Sequence, residues 1–477
     1  MKGEAEYPVI SPIDGSTIAY APRMSYKSID EVLDTIYRKG RWEIRDTPGY
    51  KRLSIIQKIA DLLEQHADAF VEALVYNAGK TYAQAMGEVS ASISRLRDAP
   101  LDARKVIGEY LAGDWDRSTL ESEGVVRKEP YGVVLAIIPF NYPLFDTVSK
   151  FVYSAVAGNA VVVKPPSADP LPVLMFGKLV EEFGFMSNAF AIVPLPGKEA
   201  DLLVADERIS VISFTGSSET GKHVLRTGGI KQYIMELGGG DPAIVLSDAN
   251  LDEASKLVVA GIYSYAGQRC DAIKLILVEQ GIYEDFKEKI VEELRKVVVG
   301  DPRDSGTTMG PLVSAEAVNT MLTAIEDAIS KGGRLLHGGR KLRSNYVEPT
   351  LIEFLDHGSI KKTKLYEEEI FAPVALITSF DRIEEAIELI NERKYGLDLA
   401  VFGSNIDKIR YVIRYAEVGA VYVNDMPRHG IGYYPYGGGR KNSGIGREGI
   451  SYSVEYVMAT KTIIYNFKGK GVFHYLI

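Results

Sequence analysis

An open α/β fold is what this sequence predicts, on three observations. Short runs rich in Val and Ile recur at residues 133–138, 160–163, 211–214 and 243–246. Helix-like segments lie between them, the pattern of buried parallel strands with crossover helices. A second alternation of strand-like and helical segments follows residue 240, and 477 residues are enough for two or three domains.

Taken in order, Ser11-Pro12-Ile13-Asp14-Gly15-Ser16 reads as a turn between short strands. From residue 28 to about 91 the pattern is helical. Ile55, Ile56, Ile59, Leu62, Leu63 and Phe70 fall at spacings of three and four, which is a core stripe. A charged stretch covers residues 95–128. The four apolar runs then predict a sheet whose carboxyl edge carries Pro139, Lys164, Thr215 and the glycines after Glu236, and open α/β sheets bind ligands at that edge. In the second unit, residues 251–265 read as helix, 273–278 as strand, 283–297 and 315–331 as helices, 375–378 as strand and 383–391 as helix. Residues 457–464 read as a terminal strand.

Hydrophobic residues make up 46% of the chain and charged residues 25%, so there is apolar material for large cores. The formal charge of −9 offers no basic footprint for nucleic acid. The opening Met1-Lys2-Gly3-Glu4-Ala5-Glu6 lacks the apolar core of a signal peptide, and the longest apolar runs are far too short to span a bilayer. A soluble cytoplasmic protein with neither a membrane nor a nucleic-acid partner is expected.

The chain has one cysteine, Cys270, in Gly267-Gln268-Arg269-Cys270. It cannot form an internal disulfide, and a closed metal site would need other ligands around it, so no metal is expected. It is either a small buried hydrophobe or a nucleophile, and the cation of Arg269 beside it favours thiolate. Phe214-Thr215-Gly216-Ser217-Ser218-Glu219-Thr220-Gly221 runs from strand into helix, where free N–H groups hold a pyrophosphate or simply make a turn. Lys164 ends a strand before two prolines, and neutral Ser167 follows where an acidic residue would repel a 2′-phosphate. In Pro139-Phe140-Asn141-Tyr142-Pro143 the amide of Asn141 serves an Asx turn or faces a developing oxyanion. Glu236, before Gly238-Gly239-Gly240, is a loop carboxylate or a general base toward water.

Together and in this order, these stretches resemble the aldehyde dehydrogenase superfamily. The likeness also takes in Gly300-Asp301-Pro302 … Gly310-Pro311-Leu312, Glu367-Glu368-Glu369-Ile370-Phe371-Ala372-Pro373, Pro435-Tyr436-Gly437-Gly438 and Ser443-Gly444-Ile445-Gly446-Arg447-Glu448-Gly449. The resemblance implies a Rossmann-like cofactor domain at 1–110 and 131–238, a catalytic α/β domain at 239–450, and a small bridging or oligomerisation element at 111–130 and 451–477. It implies a homodimer or homotetramer.

By motif, the resemblance makes Cys270 the nucleophile, Glu236 the base of hydrolysis and Asn141 the oxyanion donor, with the Cys270 N–H. Lys164 and Ser167 match adenosine-ribose contacts, and Gly216 and Ser217 match pyrophosphate contacts, with Gly221 in the same motif. Glu369 and Phe371 match contacts to the nicotinamide half, and Pro139, Phe140 and Leu237 are also expected along the cofactor. Lys150 and Glu448 sit where a supporting lysine and glutamate are expected. Ala372 departs from the usual glycine. The implied cofactor is NADP, with NAD also accepted.

The sequence around Cys270 is most similar to non-phosphorylating glyceraldehyde-3-phosphate dehydrogenases. That likeness implies a phosphorylated aldehyde held by Arg269 and Tyr142, with Arg428 or His429 adding charge. Arg95, Arg97 and Arg104 are the candidates for a further arginine. Another small anionic aldehyde, such as succinic semialdehyde, is the alternative, and a non-catalytic binding protein of the same fold is the remote one.

Overall fold

A computed structural model describes residues 5–182, 187–430 and 433–468. Residues 1–4 and the far end of the expected bridging element, 469–477, lie outside the described residues.

The first sheet contains β1 (Val133–Ile137), β2 (Ala160–Lys164), β3 (Phe190–Ile192), β4 (Val211–Thr215) and β5 (Gln232–Glu236). They lie in the order β5-β4-β1-β2-β3, all parallel, with Gly444–Ile445 added antiparallel on β5. β1 and β2 are buried at every position, which explains their unbroken apolar runs.

The second sheet contains β6 (Asp241–Val245), β7 (Ile273–Glu279), β8 (Arg334–His337), β9 (Thr350–Glu353), β10 (Val374–Phe380), β11 (Asp398–Phe402) and β12 (Ala420–Val423). Its order is β8-β9-β10-β7-β6-β11-β12. The run at 243–246 therefore belongs to this sheet and not to the first. Gln232–Glu236 completes the first sheet instead, and its polar ends hid it from a search for apolar runs.

Two helices position the site. α1 (Tyr82–Arg97) starts at a capping box in which the Thr81 hydroxyl accepts from the Gln84 N–H and Gln84 reaches back. α2 (Pro143–Ala157) begins on Pro143, where a missing N–H costs nothing. Its next two N–H groups, from Leu144 and Phe145, donate to Glu88 Oε1 of α1 at 3.0 and 3.1 Å. A carboxylate at a helix start also opposes the helix dipole. α2 is buried on almost all sides, as its apolar composition requires.

A three-stranded antiparallel ribbon of Glu109–Ala112, Ser122–Pro130 and Met458–Asn466 stands apart from both sheets. It exposes Tyr110, Leu111 and Ile464, and the turn between its first two strands exposes Trp115.

Candidate active site

Register brings the cofactor motifs together. Ile137 pairs with Lys164 on one side and Phe214 on the other, and Thr215 pairs with Glu236. The carboxyl ends of four strands thus share one edge. Lys164 is largely buried there and its ammonium has no partner among the described residues, so burial lowers its pKa to about 8. The Thr215 hydroxyl is likewise buried without a partner. α3 (Ser218–Gly228) starts at the same edge, capped by the Ser217 hydroxyl on the Thr220 N–H. Gly221 lies in its second turn, against Leu237. Ser167 is exposed. Across the edge the Phe140 and Phe371 rings meet edge to face at 5.7 Å, and Glu369 Oε1 accepts the Gly239 N–H at 3.0 Å. An unpartnered ammonium, an orphan hydroxyl and a helix start in one row fit the phosphates and ribose of a dinucleotide.

Beside this edge lies a cavity of about 390 Å³ whose walls include Asn141, Glu236 and Cys270. Cys270 reaches it on a strained loop. α4 (Leu251–Tyr263) ends, and Tyr265, Ala266 and Gly267 then take left-handed conformations in succession (φ 51°, 52° and 67°). Two non-glycine residues in that region cost about 1–3 kcal/mol each and persist only where the surroundings hold them.

Here the Tyr265 hydroxyl donates to Ala78 O at 2.7 Å, and Gln268 Oε1 accepts from Val313 N at 2.8 Å. The Lys274 ammonium donates to Gly267 O and Ala372 O, tying the thiol loop to the Glu369–Phe371 loop. The Ala372 methyl is accommodated in the apolar core. At Gly239 a Cβ would fall 2.1 Å from Cys270 O, so only glycine permits this approach. The Cys270 N–H donates to no acceptor among the described residues.

On one flank of the cavity Glu236 Oε2 accepts the Gly438 N–H at 2.5 Å, while Oε1 is buried with no partner among the described residues. Gly437 has a φ of 66°, which favours glycine, and a Cβ there would push the Glu236 carboxylate aside. Burial, then the nearby Glu448 carboxylate, holds Glu236 well above the usual carboxylate range. Lys150 pairs with Glu448 at 2.5 Å, both fully buried. Burial opposes the Lys150 charge, but Glu448 and Asp146 outweigh it and raise its pKa. Burial also pushes Asp146 up to about 7.

The other flank holds paired ions. Arg269 is buried, with Nε and Nη2 on the two oxygens of Asp271 at 2.9 and 2.7 Å and Nη2 also on Pro427 O at 2.8 Å. Burial would raise Asp271, but Arg269 outweighs it and holds it below the usual range. His429 Nδ1 lies 3.7 Å from Cys270 Sγ, and its Nε2 lies 2.6 Å from Asp398 Oδ2. Asp271, Asp398 and His429 bring ligand atoms within 4.8 Å of one another, but Arg269 and the imidazole already occupy the carboxylates, which is an ion-pair network and not a cation cage.

Tyr142 lines the cavity with the Lys80 ammonium 3.9 Å from its ring centroid. Arg428 is exposed and pairs with Asp425 at 2.6 Å. Of the further candidates, Arg95 is buried on Asp102 and lines a neighbouring cavity, Arg97 pairs with Asp61 and Glu64 outside, and Arg104 is exposed. None of the three lines the cavity of Cys270.

Sequence reasoning assigned no role to Asp398, Asp271, Lys274 or Tyr265. Only Asp271, two residues from Arg269, carried a local signal. The others are set by contacts between residues far apart in the chain: Asp398 with His429, Lys274 with Ala372 and Tyr265 with Ala78.

The aldehyde dehydrogenase family model matches residues 1–463. A lactaldehyde dehydrogenase of Methanocaldococcus jannaschii is 34% identical over 461 residues, covering 96% of each chain. An NADP-dependent glyceraldehyde-3-phosphate dehydrogenase of Streptococcus equinus is 32% identical over 463 residues, covering 97% of this chain and 96% of that relative. Among solved structures, the glyceraldehyde-3-phosphate dehydrogenase GapN from Methanocaldococcus jannaschii complexed with NADP is similar with a TM-score of 0.90 at 32% identity. That match covers 97% of this chain and 100% of that one. With residues 1–463 matched and relatives 32% and 34% identical over nearly the whole chain, this chain, whose thiol, amide and carboxylate line one cavity, belongs to the aldehyde dehydrogenase family.

Proposed function

We propose that this chain oxidises glyceraldehyde 3-phosphate to 3-phosphoglycerate with NADP, NAD also serving, and without inorganic phosphate. One observation carries the chemistry: the thiol of Cys270, the amide of Asn141 and the carboxylate of Glu236, one of whose oxygens has no partner among the described residues, line one cavity. Cys270 Sγ adds to the aldehyde carbon, and the carbonyl π electrons move to oxygen. The Asn141 side-chain N–H and the Cys270 backbone N–H stabilise that oxyanion. NADP bound along the strand ends supplies hydride acceptance. The acyl group is then held on Cys270 as a thioester. Glu236 Oε1 takes a proton from water, hydroxide adds to the acyl carbon, and the C–S pair returns to sulfur. A carboxyl group raised by burial is a stronger base once ionised, which suits this step.

For NADP, neutral Ser167 leaves room for the 2′-phosphate. For the substrate phosphate, Arg269 Nη1 stands outside the bonds to Asp271 and Pro427, and Tyr142 and Arg428 share the cavity, whereas both ring nitrogens of His429 are taken up by Asp398 and Cys270. The exposed apolar ribbon supports a homodimer or homotetramer. The test is NADPH formation in phosphate-free buffer from glyceraldehyde 3-phosphate, glyceraldehyde and succinic semialdehyde. Strong preference for the first is expected, and indifference to the phosphate overturns the substrate.

A second reading, a small aldehyde without phosphate such as succinic semialdehyde, rests on a specific observation. Arg269 and Arg428 are already paired with acids, and the α1 wall offers Gln84, Gly87 and Ala91, with Glu88 taken by Lys80. Phosphate would have to compete for both arginines.

A further inference from the structure

We propose that His429, held by Asp398, is the proton acceptor and counter-ion of Cys270, so that the nucleophile works as a Cys–His–Asp relay. The inference rests on Cys270 being the nucleophile of the reaction proposed above.

The imidazole is fixed at three points. Nε2 meets Asp398 Oδ2 at 2.6 Å, the backbone N–H donates to Asp271 Oδ2 at 3.2 Å, and the ring stacks on Tyr436 with centroids 5.0 Å apart. A carboxylate on Nε2 requires Nε2–H in either charge state, which leaves Nδ1 to face the thiol 3.7 Å away. Asp398 is buried at the start of β11 and its own N–H donates to Asp241 Oδ1 at 3.1 Å, so the carboxylate is set by the sheet and not by a loop. Its other oxygen, Oδ1, has no partner among the described residues. Nucleophile, base and a third orienting group thus stand in line.

The proton moves from Sγ to Nδ1, giving thiolate and imidazolium in contact. When sulfur adds to the aldehyde, its electron pair forms the S–C bond and the imidazolium proton stays on Nδ1. When water later displaces the acyl group, the C–S pair returns to a sulfur that again faces the imidazolium. The relay therefore serves both half-reactions, while Glu236 handles only water.

The charges around the ring favour this. Asp398 and Asp271 face it from β11 and the thiol loop, and Asp241 faces it from β6. Glu236 and Asp146 lie within its field from the other flank, and Tyr422 and Tyr436 are its neutral neighbours. Burial would lower His429, but Asp398, Cys270 and Asp271 outweigh it and hold the imidazole well above its ordinary value. Burial pushes the Cys270 thiol up to about 12, and His429 is the largest influence pulling it down.

The test reads the thiol without substrate: the rate of Cys270 alkylation by iodoacetamide against pH, in wild type, His429→Asn and Asp398→Asn. Melting temperature and NADP binding confirm that each variant is folded. The relay predicts that His429→Asn moves the midpoint upward by a pH unit or more and slows alkylation about tenfold at neutral pH. Asp398→Asn, which keeps His429 but removes its anchor, should shift it the same way by less. A folded His429→Asn with the wild-type midpoint overturns the proposal, as does an Asp398→Asn profile that moves downward. Should the variants behave as predicted while wild type oxidises no aldehyde, the proposed reaction fails and the relay stands.

Discussion

The two flanks of the cavity handle buried charge in opposite ways. Around Glu236 three carboxyl groups, with Glu448 and Asp146, crowd the Lys150 ammonium, and burial outweighs that cation and the field of His429, so Glu236 and Asp146 keep their protons far above the usual range. Around Cys270 the cations Arg269 and His429 stand against Asp271 and Asp398, and Asp271 is held ionised. One flank holds more carboxyl groups than cations, and the other balances its charges and faces a thiol. A single burial depth thus gives different chemistry according to how acids and cations are matched.

Breaking the comparison at its centre should have the largest effect. Cys270→Ala is expected to abolish aldehyde oxidation at all pH values, measured as NADPH formation. Glu236→Gln should still acylate once, giving a burst of NADPH, and then lose about 10²- to 10⁴-fold in steady turnover. In wild type the deacylation rate should rise with pH through a pKa above the ordinary carboxylate range, because Glu236 must lose its proton to act. Stopped-flow single-turnover traces check both, and undiminished turnover in the variant removes the base role.

Lys150→Met leaves Glu448 buried without its cation and should cost about 3–5 kcal/mol in denaturant unfolding. Adding Glu448→Gln should recover part of that loss, which separates the ion pair from packing. The smallest effect is expected at the rim. Arg428→Ala removes a charge already shared with Asp425 and should raise KM for a phosphorylated aldehyde about 2- to 5-fold, with no change for an unphosphorylated one. Equal changes for both substrates would assign Arg428 to neither.

Much of the first sheet was legible because buried parallel strands have to be apolar on both faces, and β1, β2 and β4 are. β5 escaped notice because Gln232 and Glu236 bracket it, and Glu236 is polar there because it ends at the cavity. Gly239 and Gly437 were visible only as members of glycine runs, and the packing alone shows them as close approaches to Cys270 O and Glu236. His429 could be named as a basic residue near the site, but not as a partner of the thiol.

By itself the sequence determined the α/β class, the strand ends that carry Lys164 and Thr215, and the one thiol. These follow from local rules: strand periodicity, turn residues and a cysteine count. Tertiary structure decided which charges meet. Arg269 turns to Asp271, and Asp398, 128 positions after Cys270 in the chain, reaches it through His429. Ionisation depends on distance and burial, neither of which is a property of neighbouring residues in the chain, so the proton-holding power of the site exists only once the two sheets are packed.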